Sequence, residues 1–414
     1  MHELIQKGKA CKEASYELMN LDTDAKNRIL NSIAIHLRKA QNNILNANQK
    51  DIEQARKNKR SISFVDRLTL DEKRLNQIIE GVEQVVTLSD PCNCILDKWE
   101  RNHLQFIKKS VPIGVIGMIY EARPNVSVDA TSLCIKSGNV CFLRGSKDTI
   151  HSNVALVNAM KQGIVAAGYN AHFVELLMDT SKECATAFMR LNEYLDLLIP
   201  RGGANLIRTT KENASVPIIE TGTGNCHVYV DKDANLKKAI DIIMNAKCQR
   251  VSVCNACESV LIHKDIIDAF ALLLINALKD AQVIIHGDEK IRKYDANILF
   301  ATNEDYMKEY LDYEISIKVV DDVNEAIHHI NKYGTHHSDV IVSENQDAIS
   351  MFLNQVDSAV VYANVSSRFS DGEEFGFGAE IGISTQKIHA RGPMGLKTLT
   401  SYKYLVVGDG VIRK

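Results

Sequence analysis

The sequence predicts an α/β protein made of two doubly wound parallel-sheet domains. Short apolar runs alternate with amphipathic stretches from residue 113 onward, the pattern of parallel strands joined by helices. A second series of the same kind opens at residue 227. Only six prolines occur in 414 residues, and no Pro- or Ser-rich linker separates the two series, so little room is left for disordered connections.

The elements follow in chain order. Residues 1–90 alternate apolar and charged positions at helical spacing, which predicts three or four amphipathic helices. Asp22 and Thr23, before AKNRILNSIAIHLRKAQ, read as an N-terminal cap and first turn. After Pro91 the stretch LDKWERNHLQFIKKSVPIG changes character and predicts an extended hairpin around Asn102. VIGMIY then reads as a strand, 126–137 as a helix, VCFLR (140–144) as a strand and 149–167 as a long helix. HFVELL, LDLLIP (195–200) and VPIIE (216–220) continue as strands, with helices at 181–190 and 203–211. In the second series HVYVD (227–231) and SVLIH (259–263) flank a helix at 234–247, and 266–278 is a core-facing helix. ISIKVV, EAIHHINKYG, DVIVS and AVVYAN complete the series, and no repeat of 20–50 residues is present.

Composition narrows the function classes. A net charge of −3 and a pI near 6.5 give no electrostatic reason to expect nucleic acid or an anionic membrane as partner. The basic cluster Lys57–Arg60 is short and reads as a solvated helix end. The longest apolar run, VPIGVIGMIY at 111–120, falls far below the ~18 residues of a membrane span. The first twenty residues carry acids and no continuous apolar core, unlike a secretory signal. With ten scattered cysteines, this points to reduced thiols and a cytoplasmic protein.

Three places could carry chemistry. PRGGAN (200–205) and LRGSKD (143–148) each leave an apolar strand and open a helix, with glycine and an arginine at the turn. Backbone N–H groups there favour an anion, and two such turns in one sheet point to a dinucleotide. The third place is NAKCQRVSVCNACESVLIH, with Cys248, Cys254 and Cys257. A redox CxxC opens a helix, whereas this one runs into a strand. Zinc would need a second pair of ligands, which neither Cys92–Cys94 nor the adjacent histidines supply, so no metal is expected. Cys248 and Cys257 read as core residues, and Cys254 sits in the irregular segment VSVCNA.

VPIGVIGMIY, SGNVCFLRGS, IETGTGN and CNACESVLIH occur in an order and spacing that resemble the aldehyde dehydrogenase superfamily. YEARPNVSVDATSLCIKSGN, IPRGGANLIR and FGAEIGISTQKIHARGPMGLKTLTSYKY resemble its branch acting on γ-glutamyl phosphate, over nearly the whole chain. The resemblance implies Cys254 as the catalytic thiol and places Glu220 where hydrolytic relatives keep a general base. It places Glu309, in EYLDY where relatives read EIFGP, at the glutamate contacting the nicotinamide ribose. Two departures matter: Arg123 falls at or near the usual oxyanion asparagine, and Lys147 holds the position of a glutamate that grips the adenosine ribose in NAD-specific relatives. Lys147 beside Arg144 would attract a 2′-phosphate, which favours NADPH over NADH. Ser146, Arg201, Gly202 and Gly203 join them as cofactor-binding candidates, and Ser366, Ser367 and Arg368 as substrate-binding ones.

The implied reaction is reduction of L-glutamyl 5-phosphate to L-glutamate 5-semialdehyde and phosphate, through a thioester on Cys254, as the second step toward proline. The alternative is a hydrolytic or CoA-acylating relative. The implied architecture is aldehyde dehydrogenase-like. It has an NADP-binding domain of 1–99 and 114–227, a catalytic domain of 228–385, and an oligomerisation flap of 100–113 and 386–414. TSYKYLVVGDG would be an unprotected edge in a monomer, so a homodimer or homotetramer is expected. A transient contact with glutamate kinase, to hand over the labile acyl phosphate, is the other partner considered.

Overall fold

The computed structural model describes residues 1–413, including all their side chains except those of residues 62 and 63. The chain divides into two compact units. The first contains Met1–Thr221, Gly376–Gly382 and the chain from Met394 on; the second contains Gly222–Phe375 and Ile383–Pro393. The change of unit thus falls between residues 221 and 222, a few residues before the expected 227/228 boundary. The 376–382 stretch, expected in the catalytic domain, packs in the first unit. The reason is local: Gly382 lies against Arg201 and Thr221, and the Ile381 N–H donates to the Met394 carbonyl at 3.0 Å.

The first unit opens with five helices, α1 (His2–Leu18), α2 (Thr23–Lys39), α3 (Gln41–Lys57), α4 (Ile62–Leu68) and α5 (Glu72–Thr87). One more forms than the three or four expected, because seven-residue α4 is too short to show a helical period of its own. Asp22 caps α2 as predicted, its carboxylate accepting from the Ala25 N–H at 2.8 Å. The hairpin around Asn102 is β1 (Ile95–Arg101) and β2 (Leu104–Pro112). Asn102 and His103 both take positive φ, 52° and 62°, as a two-residue turn between twisted strands requires.

A parallel sheet follows: β3 (Val115–Tyr120), α6 (Asn125–Lys136), β4 (Val140–Gly145), α7 (Ile150–Ala166), β5 (Val174–Leu176), α8 (Lys182–Met189), β6 (Leu197–Arg201) and α9 (Ala204–Asn213). The strand order is β5-β4-β3-β6, so the chain reverses its direction of travel across the sheet between β3 and β6. VPIIE does not become a strand. Pro217 has no N–H to give, and the segment keeps one bridge, Leu198 to Ile218.

The second unit holds a seven-stranded parallel sheet. Its elements are β7 (Cys226–Val230), α10 (Leu236–Cys248), β8 (Cys257–His263), α11 (Ile267–Asp280), β9 (Ile284–Gly287), β10 (Leu299–Phe300), α12 (Asn303–Met307), β11 (Glu314–Val320), α13 (Val323–Tyr333), β12 (Ser338–Val342), α14 (Gln346–Gln355) and β13 (Val360–Ala363). The order is β10-β9-β11-β8-β7-β12-β13. Successive residues of each central strand serve opposite cores, as in a sheet covered on both faces. Val228, Val260 and Ile317 pack with Phe270 and Leu274 of α11. Tyr229, Leu261 and Ile341 pack with Ile330 and Phe352 of α13 and α14.

Two short strands, β14 (Ile383–Ser384) and β15 (Gly392–Pro393), pair in the second unit. The last strand, β16 (Thr400–Val407), returns to the first unit and pairs antiparallel with β2, from Thr400 opposite Pro112 to Val407 opposite Gln105.

Candidate active site

The thiol loop is the connection from α10 to β8. Cys254 is half-buried in irregular backbone, whereas Cys257 is the fully buried first residue of β8 and burial pushes its thiol up to about 12. Cys248, the last residue of α10, is half-buried and packs against the margin of the second unit's core. Of the three, only Cys254 combines access with an irregular backbone.

Everything around Cys254 fixes its main chain. The Cys226 S–H donates to the Cys254 carbonyl at 3.2 Å. Gly224 packs so closely that a Cβ on it would stand 1.4 Å from that oxygen. Asn255 donates to the carbonyls of Arg368 (3.3 Å) and Ser370 (3.0 Å), and its own carbonyl accepts from the Ser367 hydroxyl at 2.7 Å. The Arg368 guanidinium donates to the Asn255 side-chain oxygen and, through Nε, to Gln249 at 2.9 Å. Asp371, three residues on, acts on the guanidinium through its charge. Ser366 caps this segment by accepting the Arg368 N–H at 3.3 Å. Of the three residues proposed for substrate, Ser367 and Arg368 touch the thiol loop, and Ser366 caps the turn that carries them.

Glu309 lies in the same neighbourhood. Its carboxylate accepts the Gly224 N–H at 2.6 Å, and burial raises its pKa above the ordinary carboxylate range. Gly224, Cys226 and their contacts were not singled out from sequence. The TGTGN glycines were the available signal, since a glycine is needed where backbone meets backbone this closely.

The remaining candidates are in the first unit. Arg123 is half-buried in the turn before α6, and its carbonyl accepts the Val126 N–H at 3.1 Å. At the end of β6, the Gly203 N–H donates to the Glu121 carboxylate at 3.2 Å. A Cβ on Gly202 would meet that same carboxylate at 2.7 Å. The anion that this glycine turn receives is thus one of the chain's own. Arg201, half-buried, lies with its guanidinium against Gly382. At the end of β4, the Arg144 guanidinium turns inward to the carbonyls of Thr180 (2.7 Å) and Ser181 (3.0 Å). Lys147 is exposed and Ser146 half-exposed just beyond it. Asp148 is paired with Arg60 at 2.8 Å. Glu220 is half-buried and accepts from Lys211 at 3.1 Å. Among the described residues no group of three or more His, Cys, Asp or Glu could hold a metal.

The second unit presents a half-buried thiol on a braced loop before its central strand β8, and in the first unit Arg144 and Arg201 stand at the ends of β4 and β6, within an α/β enzyme architecture. The family model "Aldehyde dehydrogenase family" matches residues 3–293, and the chain belongs to that family. It is 51% identical over 414 residues to the gamma-glutamyl phosphate reductase of Clostridium botulinum (strain Alaska E43 / Type E3), covering 100% of both chains. It is 51% identical over 413 residues to the enzyme of the same name from Enterococcus faecalis, covering 99% of both. Among solved structures it matches gamma-glutamyl phosphate reductase from Thermotoga maritima with a TM-score of 0.97 and 45% identity, covering 100% of both chains. An acetylating aldehyde dehydrogenase from Geobacillus thermoglucosidasius matches at a TM-score of 0.72 and 14% identity over 100% of this chain and 98% of that one, a likeness of fold alone.

Proposed function

We propose that this protein reduces L-glutamyl 5-phosphate to L-glutamate 5-semialdehyde with release of phosphate, the second step of proline biosynthesis. The observation that carries the reading is 51% identity over the full chain to enzymes named for that reaction. The CoA-acylating alternative draws on structural likenesses of 14% and 15% identity, which carry the fold alone.

In this reading the Cys254 thiolate attacks the γ-carbonyl, the C–O bond to phosphate breaks, and a thioester forms on Sγ. Arg123 meets the charge of the acyl phosphate and the developing oxyanion, a task suited to a guanidinium. A bound nicotinamide cofactor supplies the hydride that reduces the thioester carbon. Collapse of the resulting thiohemiacetal frees the aldehyde and returns the thiolate. No water needs activation, which agrees with a Glu220 carboxylate occupied by Lys211. Ser366, Ser367 and Arg368 serve this reading better as braces of the thiol loop than as direct substrate ligands.

The residues at the end of β4 fit such a cofactor. An exposed ammonium on Lys147 and a hydroxyl on Ser146, at the carboxyl end of a parallel strand, suit an anionic dinucleotide. Lys147 would favour NADPH by meeting its 2′-phosphate. Arg144 supports the turn from inside, since its guanidinium is given to two carbonyls. Arg201 would line the cofactor at the β3/β6 reversal point, where the Gly202–Gly203 turn already holds the Glu121 carboxylate, and Glu309 would meet its nicotinamide ribose.

The enzyme acts in the cytoplasm as a homodimer or homotetramer assembled through β16, whose Tyr402, Tyr404, Val406 and Val407 are exposed on an edge strand. Glutamate kinase hands it the acyl phosphate in passing. Among the described residues no helix is long and apolar enough to cross a membrane.

The test is oxidation of L-glutamate 5-semialdehyde followed as cofactor reduction, with NADP and NAD compared. Oxidation that requires inorganic phosphate and prefers NADP supports the reading. Oxidation that proceeds equally without phosphate, or requires CoA instead, refutes it.

A further inference from the structure

Lys247 and Glu258 stand at the two ends of the thiol loop, seven residues before Cys254 and four after it. Both side chains are fully buried, and Lys247 Nζ meets Glu258 Oε2 at 2.5 Å. The pair joins the last turn of α10 to the second residue of β8, so it closes the loop at its base. Glu258 has a second task. Its other oxygen accepts the Leu311 N–H at 3.0 Å, and Leu311 holds a left-handed φ of 55°. A leucine adopts that conformation only where its surroundings impose it. Two residues earlier, Glu309 reaches the Gly224 N–H, and Gly224 abuts the Cys254 carbonyl.

We infer that the buried Lys247–Glu258 pair is a positioning device for the thiol, setting the base of the Cys254 loop and, through Leu311, the segment that carries Glu309. The inference rests on the reading of Cys254 as the reacting group. A buried ion pair gains little stability over an apolar pair of the same size, so retaining two charges here is better explained by placement than by stability. Burial pushes the Glu258 carboxyl up to about 7 and Lys247 pulls it back, which is the tension expected of a charge held indoors for its bonds. The pair touches neither substrate nor cofactor in this assignment; it acts through the backbone it holds.

Two charge-free variants separate placement from stability. Lys247→Met/Glu258→Gln keeps an acceptor for the Leu311 N–H, and Lys247→Met/Glu258→Leu removes it. Neither leaves an unpaired charge in the core, so both are expected to fold. The readouts are kcat and the rate at which iodoacetamide alkylates Cys254 in the full-length protein, with exposed Cys94 as internal reference. The Met/Gln variant, which unties α10 from β8 but keeps the Leu311 acceptor, should lose about threefold in kcat and about twofold in Cys254 alkylation, and the Met/Leu variant about tenfold or more in kcat and about fivefold in Cys254 alkylation, with Cys94 unchanged. Equal values for the two variants, or a Met/Leu variant indistinguishable from the parent, would overturn the inference. The alkylation contrast needs no glutamyl phosphate, so it stands or falls apart from the proposed substrate.

Discussion

The Cys254 loop of the second unit and the β4–α7 turn of the first are both short, irregular connections, and they are held in opposite ways. Around Cys254 the chain is tied through Cys226, Asn255, Ser367 and Arg368, and the close approach of Gly224 leaves no space. At the β4 turn, the inward residues Arg144 and Asp148 are bonded while Lys147 is left in solvent. The difference fits the two tasks proposed for them. A nucleophilic atom must be placed to a fraction of an ångström, which takes bonds from several elements. A cation that selects a mobile anion needs only charge and access. The β6 turn shows the third possibility, a glycine turn whose anion is an internal carboxylate, Glu121.

The largest expected effect tests which residue the braced loop exists to hold. Cys254→Ala should lower turnover by at least about 10⁴-fold, since the covalent step has no other thiol in reach of the same geometry. Cys257→Ala, on the buried first position of β8, should keep the rate within about threefold and lower stability only. Steady-state rates of both variants, with circular dichroism as a check of folding, decide it. A Cys254→Ala enzyme that still turns over would mean the bracing serves something else.

Next comes the bracing itself. Gly224→Ala places a methyl group where the Cys254 carbonyl now stands, 1.4 Å from the Cβ position. The loop must move by more than an ångström, and a displacement of that size costs about 10²-fold in rate. kcat should fall by that order while affinity for the nicotinamide cofactor, measured by fluorescence titration, changes little. If kcat is unaffected, the loop is less constrained than its bonds imply and the comparison fails on that side.

The contrast between the two regions also explains what could be read ahead of the structure. Strands such as VIGMIY, VCFLR, HVYVD and SVLIH were legible because apolar runs of that length leave few alternatives, and Asp22 and Asn102 were legible because caps and tight turns are local chemistry. The VPIIE strand failed because Pro217 breaks a ladder that composition alone suggested. The short strands β9 and β10 left too little pattern to notice. Cys254 stood out through its irregular segment and the family resemblance. Its braces did not, because each joins positions far apart in sequence: Glu309 to Gly224 across 85 residues, Ser367 to Asn255 across 112. The filling of the β6 turn by Glu121 spans 82 residues and was equally out of reach. Long-range bonds of this kind carry no periodicity.

On the open side of the comparison, Lys147→Glu should narrow the advantage of NADPH over NADH. A carboxylate would face the 2′-phosphate and one charge-assisted contact would be lost, worth about 1.5–3 kcal/mol or roughly ten- to a hundred-fold in the ratio of kcat/KM values. Because Lys147 is exposed, the melting temperature should stay put. An unchanged ratio would mean that the cation left in solvent is only a solvated lysine.

The smallest expected effect separates bracing from binding within the thiol loop. Ser367 is fully buried, and its hydroxyl donates to the Asn255 carbonyl at 2.7 Å, one residue from Cys254. A buried hydroxyl with its hydrogen committed to the main chain has little left for a substrate carboxylate. Ser367→Ala removes one neutral hydrogen bond and leaves a carbonyl underused, at a cost of about 1–2 kcal/mol in stability. Asn255 keeps its bonds to the Arg368 and Ser370 carbonyls, so the loop should hold its course. The expected outcome is a lower urea midpoint, kcat reduced by about two- to fivefold, and KM for the acyl phosphate, or for phosphate in the reverse direction, within about twofold. A residue that grips substrate would give the reverse, a KM raised tenfold or more with stability untouched. That result would return the 366–368 segment to the substrate and leave Asn255 to be braced by the carbonyls alone.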